Sequence, residues 1–292
     1  MAERKDQGVL YLCATPLGNL EDITLRVLRI LKEVDLIAAE DTRHTRKLLS
    51  HFDIHTPLTS YHSHSSQGKA ENLIQQVKQG ARIALVSDAG MPGISDPGAD
   101  LVRQAIQENV EVIPVPGPSA GIAGLVVSGL PTHKFVFEGF LSNQRKTRRK
   151  QLQALKGEQR TLVFYESPHR LEDTLKDMLA EWGDRPCAVA RELTKIHEEI
   201  RRGTLSELLP YFEQNHPRGE ITLVVGGVPE EENNELEYRE IREELSMAEH
   251  VALLEKGGSD RKEAIKQVAR LRGVPKRDVY AAVVNSADKG VQ

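Results

Sequence analysis

Short apolar runs alternate with helix-length periodic stretches through the first 118 residues. Val9–Cys13 and Leu36–Ala39 read as strands, as do 83–86 (extending back to Arg82) and 112–115. Between them lies a helix pattern over 24–34, with Leu25, Val27, Leu28, Ile30, Leu31 and Val34 on the expected buried side and Asp22 as the expected cap. A second helix follows Glu40–Asp41–Thr42–Arg43–His44–Thr45 and runs to Ser50; a third spans 67–79 and stops at Gly80; a fourth covers 99–107. Strand and helix in strict alternation imply a mainly parallel sheet covered by helices.

Pro114–Val115–Pro116–Gly117–Pro118 breaks this pattern. A very apolar small-residue helix follows over 119–128, then strands at 135–138, 161–165, 187–190, 198–202 and Ile221–Val225. Helices over 148–155, 171–181 and Leu205–Gln214 separate several of them, so the second sheet is expected to be mixed. The stretch 229–244 is a charged linker with eight glutamates. Beyond it Asp260 is placed to cap a helix over 261–271 with Ala264, Val268 and Leu271 inward; Gly273 stops it, and 277–284 forms another, a helix-turn-helix-like pattern. The expected domains are thus 1–117, 118–229 and 230–292.

Two loops behind strands carry the candidate chemistry. Ser87–Asp88–Ala89–Gly90–Met91–Pro92–Gly93–Ile94–Ser95–Asp96–Pro97–Gly98 follows one strand, and Ala14–Thr15–Pro16–Leu17–Gly18–Asn19–Leu20 another. In an open α/β sheet, loops at the carboxyl ends of strands form the ligand crevice. Neither has the spacing of a dinucleotide fingerprint or a Walker phosphate loop. Both lack Lys and Arg, and the larger holds Asp88 and Asp96. An acidic, lysine-free loop suits a neutral or cationic nucleoside better than a phosphate, and S-adenosylmethionine, with its sulfonium, fits.

Composition narrows the alternatives. Hydrophobic residues make up 39%, as in a globular protein with buried cores. Aromatics at 4% give little material for base-stacking platforms, and the net charge of −4 argues against generic polyanion binding. Cys13 and Cys187 lie in apolar runs and read as buried reduced thiols. His51, His55, His62 and His64 lack metal-ligand spacing and read as solvated, so no metal is expected. The N-terminus has no signal-peptide core and no stretch is long enough to span a membrane, so a cytoplasmic protein is expected.

Six ordered motifs together resemble the tetrapyrrole methylase superfamily, and within it the branch that 2′-O-methylates small-subunit ribosomal RNA. They are 12–23, 39–43, 85–98, 114–120, Phe164–Tyr165–Glu166–Ser167–Pro168–His169–Arg170 and Arg191–Glu192–Leu193–Thr194–Lys195. The resemblance implies two α/β domains with S-adenosylmethionine in the cleft between them, a homodimer, and as substrate a cytidine ribose in the decoding region of 16S rRNA. It implies cofactor contacts at Pro16, Asp88, Ala89, Gly90, Gly93, Ser119 and Ala120, and from the second domain at Ser167, Pro168, Glu192, Gly219, Ile221 and Thr222.

Methyl transfer from a sulfonium is an in-line displacement, so positioning supplies much of the rate. A ribose hydroxyl is weakly acidic, and a base or a cation beside the developing alkoxide helps. Among the charged residues at strand ends, Asp88, Glu166 and Glu192 are assigned to the cofactor side and Glu40, Arg43 and Lys195 to the ribose side as catalytic candidates. Residues 142–160 hold seven basic residues and one acid, which marks Arg145, Lys146, Arg148, Arg149 and Lys150 as the RNA-binding candidates. The last helices are only mildly basic, with nine basic residues against five acids over 255–292. Two other readings stand beside this one: a methylase of a small tetrapyrrole-like molecule, and a non-catalytic nucleoside-sensing module that binds nucleic acid.

Overall fold

Two five-stranded sheets organise the chain, and the difference in their strand directions follows from how their strands are connected. The computed structural model describes residues 8–62, 67–229, 245–256 and 258–288. The charged linker over 230–244 and His64 lie outside the described residues.

The first sheet has the order β3-β2-β4-β1-β5. Its strands are β1 (Val9–Cys13), β2 (Leu36–Ala39), β3 (Leu58–Ser60), β4 (Arg82–Val86) and β5 (Glu111–Val115), and every pairing is parallel. Four helices make the crossovers: α1 (Leu25–Glu33), α2 (Thr42–His51), α3 (Gln67–Lys78) and α4 (Gly98–Gln107). Their apolar stripes bury the central strands from both faces. Leu10, Ile83, Leu85 and Leu101 pack on one side, Val27, Ile30, Leu31, Ile37 and Val86 on the other. Strand β3, three half-buried residues at the sheet edge, carries too short a pattern to be read from sequence.

Two local expectations are corrected. Thr24, not Asp22, caps α1: its hydroxyl accepts from the Val27 amide at 3.2 Å. Asp22 sits instead in a 3-10 turn, Leu20–Asp22, capped by Asn19. Leu25 is 84% exposed. A helix begun at Leu25 buries the stripe Val27, Ile30, Leu31, Val34, and a residue two positions before that stripe points the opposite way.

The second sheet has the order β6-β7-β10-β8-β9. Its strands are β6 (Phe135–Phe140), β7 (Thr161–Glu166), β8 (Pro186–Arg191), β9 (Glu199–Thr204) and β10 (Ile221–Val225). β6 and β7 run parallel, joined through helix α6 (Arg145–Ala154), while the other pairs are antiparallel. α6, α7 (Leu171–Trp182) and α8 (Leu205–Gln214) cover one face over a core built on Phe164, Leu162, Leu171, Met178 and Phe212. The small-residue helix α5 (Ala120–Ser128) lies on the opposite face, where Leu125 packs with Val163 and Val224. Both cysteines are free and buried, and burial pushes each thiol up to about 12.

The described residues up to 227, apart from 157–159, form one compact unit that holds both sheets. The second unit contains three helices: α9 (Met247–Lys256), α10 (Arg261–Arg272) and α11 (Lys276–Asp288). They enclose Val251, Ala264, Val268, Val279 and Val283. Asp260 caps α10 through the Lys262 amide at 2.7 Å, and the inward residue near its end is Ala269 rather than Leu271.

Candidate active site

The two glycine–proline loops are tied to each other before anything else. Thr15 and Gly90 exchange backbone hydrogen bonds of 2.9 and 3.0 Å, a single antiparallel bridge. The Thr15 hydroxyl donates to the Ser87 carbonyl at 3.0 Å, and the Ser87 hydroxyl to the Gly90 carbonyl at 3.1 Å. Asp96 clasps the larger loop from within: its carboxylate accepts from the amides of Gly93 (2.8 Å), Ile94 (3.2 Å) and Gly98 (2.7 Å). A loop so bonded is pre-formed, and its shape costs nothing further when a ligand enters.

Between these loops and the strand ends of the second sheet lies a cleft of about 410 Å³, within the usual ~300–1,000 Å³ of a small-molecule site. Of the expected cofactor residues, Asp88, Ala89, Gly90, Ser119, Ala120, Ser167, Pro168, Gly219, Ile221 and Thr222 line it together, and so does Glu40. Pro16 lines a separate, smaller pocket. Gly93 and Glu192 are outside the lining, for different reasons. The Gly93 amide is engaged by Asp96. The Glu192 carboxylate is turned onto the Lys195 ammonium at 2.7 Å and the Glu220 amide at 2.9 Å.

That Glu192–Lys195 pair depends on two glycines. A Cβ on Gly219, at φ +87°, would collide with the Glu192 carboxyl, and one on Gly18, at φ +147°, with the Lys195 chain, which crosses the first loop. Glu192 and Thr194 themselves take the left-handed conformation at φ 51° and 66°, strain that a packed surrounding must hold. Burial works to lower the Lys195 basicity, but its bonds to Glu192 and Glu220 outweigh that and raise it; burial likewise works against the Glu192 charge, and Lys195 holds its carboxyl below the ordinary range. Lys195 is therefore a fixed cation and not a proton acceptor. Arg43 turns away to Asp41 at 2.8 Å with 86% of its side chain exposed, and beside it the Asp41 carboxyl falls to about 2.

Among the lining residues outside the two candidate loops, Phe140, Tyr165 and Leu193 were not singled out as contacts. Tyr165 stands within a quoted motif yet reads as a strand residue. In the fold its hydroxyl accepts from the Gly121 amide at 3.1 Å, burial raises its pKa, and its own proton is left to donate. Glu166 is 3% exposed and its oxygens accept from the Ser167 amide (2.7 Å) and the Thr174 hydroxyl (2.6 Å), so it braces the Ser167–Pro168 turn.

The cleft is electrostatically one-sided. Five carboxylates line it (Glu40, Asp88, Asp96, Glu166 and Glu220) and no basic side chain does, while from outside the lining Arg170 pairs with Glu166 at 3.5 Å and Lys195 with Glu220 at 3.2 Å. Burial raises the Glu40 carboxyl pKa, and neighbouring Asp88 and Asp96 add to it. Asp88 itself accepts from the Asp41 amide, at the N-terminus of α2, at 3.0 Å. Such a wall repels a polyphosphate and attracts a cation.

Residues 9–209 match the family of tetrapyrrole (corrin/porphyrin) methylases. Proteins named ribosomal RNA small subunit methyltransferase I are similar over nearly the whole chain. The one from Halalkalibacterium halodurans is 52% identical and the one from Bacillus subtilis 48%, covering 95% and 96% of this chain and 95% of each of those. This chain belongs to that methyltransferase family. The relative from Thermotoga maritima is 50% identical over 220 residues, 75% of this chain but 99% of its own. Among solved structures, cobalt precorrin-4 methyltransferase superposes with a TM-score of 0.58 at 17% identity, over 75% of this chain and 94% of that one. Uroporphyrin-III C-methyltransferase from Thermus thermophilus, solved with S-adenyl homocysteine, gives 0.54 at 20%, over 75% and 97%. These two share the fold.

The RNA-binding candidates on α6 are divided. Arg148 requires correction: its side chain is 3% exposed and bonds Asp177 on α7 at 2.7 Å, so it is part of a buried ion pair and not of the exposed basic surface. Arg145 also reaches Asp177, at 3.1 Å, and Arg149 reaches Glu181 at 2.5 Å. Lys146 and Lys150 stay exposed beside them on one groove. Among the described residues no cluster of His, Cys, Asp and Glu suits a metal ion, and no helix is long and apolar enough to cross a membrane.

Proposed function

We propose that the chain transfers a methyl group from S-adenosylmethionine to the ribose 2′-oxygen of a cytidine in the decoding region of 16S rRNA. The observation that carries the reading is a cleft lined by carboxylates and no basic side chain, with Glu40, Asp88 and Asp96 in no ion pair among the described residues, since a sulfonium nucleoside is the methyl donor such a wall favours. The named activity of the relatives supports the RNA substrate, and the complex of the Thermus thermophilus enzyme supports the cofactor class. When bound, the donor supplies an electrophilic methyl carbon. The backbone of 88–90 and 219–222 and the Ser119–Ala120 turn hold it, and Asp88 favours its positive charge; Glu40 stands on the acceptor side. Lys195, kept protonated by Glu192, faces the acceptor side as a fixed cation for a developing alkoxide. Exposed Lys146 and Lys150, with the outward faces of Arg145 and Arg149, add long-range attraction for phosphates.

The reading includes a cytoplasmic homodimer acting on the small ribosomal subunit. Exposed apolar residues on α5 and the edge strand β6 (Ile122, Val126, Phe135 and Phe137) support a self-association face. It also retains segments 1–117, 118–229 and 230–292. The family match over 9–209 and the shorter Thermotoga maritima relative support placing the chemistry in the unit with the two sheets.

The decisive test is to delete the gene and measure rRNA nucleosides by mass spectrometry. One 2′-O-methylcytidine of 16S rRNA is expected to disappear and to return with the wild-type gene but not with Glu40→Ala/Lys195→Ala. Full methylation by that double variant overturns the acceptor-side assignment, and an unchanged nucleoside profile on deletion overturns the substrate.

A further inference from the structure

Behind the first glycine–proline loop lies a second pocket, of about 180 Å³. It is separate from the donor cleft, yet Ser87 and Asp88 line both. Pro16 and Gly18 form its loop side, and His44 and Lys47 of α2 its other side. An apolar cavity of ~150 Å³ accepts benzene, whereas whole cofactors need ~300 Å³ or more. The pocket is thus sized for one ring.

The helix beside it is basic. α2 carries Arg43, Arg46 and Lys47 and no acidic residue. Arg43 is occupied by Asp41, but Arg46 and Lys47 are exposed and have no ion-pair partner among the described residues. On α6, by contrast, all three arginines are engaged by α7. Lys47, which lines the ring-sized pocket, is therefore an uncompensated positive charge, with Arg46 next to it on α2.

We propose that this pocket receives the base of the acceptor nucleoside in a single-stranded RNA segment, with Arg46 and Lys47 on the flanking phosphates. The proposal rests on the functional reading above and deepens it by naming how the RNA is held. Picking out one nucleotide of a single strand is served by a pocket for its splayed base, and the backbone that follows is held by cations at the pocket's rim. The shared Ser87–Asp88 wall sets the attached ribose at the edge of the donor cleft.

The test uses the full chain, a short fluorescein-labelled single-stranded RNA of decoding-region sequence, and anisotropy across a salt titration. Arg46→Glu/Lys47→Glu is expected to raise the RNA Kd about tenfold or more and to reduce the salt slope by roughly 1–2. Its affinity for S-adenosylmethionine by calorimetry stays within about twofold of wild type, which also reports folding. Lys146→Glu/Lys150→Glu has a smaller effect on RNA. Ultraviolet cross-linking of the wild-type complex is expected to mark α2 or the first loop. An Arg46→Glu/Lys47→Glu variant with wild-type affinity and slope, or cross-links that avoid both segments, overturns the proposal while RNA binding itself stands. A wild-type chain that binds no RNA overturns the functional reading along with it.

Discussion

Helices α2 and α6 look alike in one dimension and differ in three. Each is about three turns long, rich in Arg and Lys, and free of acids. α6 faces α7, whose Asp177 and Glu181 take up three of its five cations, and Arg148 with Asp177 goes fully into the core. α2 borders the loops and the small pocket, and only Arg43 is neutralised, by its own cap. A run of positive charge thus marks a surface only where no packed neighbour answers it; where one does, the same residues hold helices together.

The largest effect expected from this contrast is on stability. Arg148→Ala leaves the buried Asp177 with only the largely exposed Arg145 as partner, a loss of up to about 3 kcal/mol in urea unfolding, with most of it recovered in Arg148→Met/Asp177→Leu. A loss below about 1 kcal/mol would erase the distinction between the two helices. Next comes the change in RNA affinity on reversing Arg46 and Lys47, described above.

A smaller effect concerns the cleft wall that α2 abuts. Burial raises the Glu40 carboxyl above its ordinary 4.5, so the folded chain binds that proton more tightly than the unfolded one. Stability attributable to this group then falls as pH rises through that range. Glu40→Gln is expected to raise Tm at pH 7, by no more than about 2 °C for a partly solvated group, with the gain vanishing well below pH 4.5. An equal gain at both pH values would point to packing instead. Smallest of all is Arg149→Ala, whose half-exposed pair with Glu181 is worth about 0.5 kcal/mol, and which is read against Arg148→Ala in the same urea series.

Much of the fold was legible from periodicity, because buried strands and amphipathic helices leave local patterns. Strand β3 was not, since three half-buried residues carry no pattern. Leu25 was misread because hydrophobicity says that a residue prefers burial, while helix phase decides whether it gets it. In the site, Asp88 and Gly90 were recognisable because loops behind strands announce themselves through Gly, Pro and Asp, whereas Ser167 was implied only by the resemblance of its motif. Tyr165 was not recognisable, because its part depends on an amide 44 residues away.

By itself, the chain's order of residues determined most strands and helices, the two lysine-free loops and the acidity of the larger one, since each is a property of contiguous residues. Tertiary structure alone decided which charges stay free. Arg148 meets Asp177 across 29 residues, and Lys195 meets Glu220 across 25. Partners so distant along the chain are chosen by packing, and a charge acquires its role only when its nearest opposite charge is known.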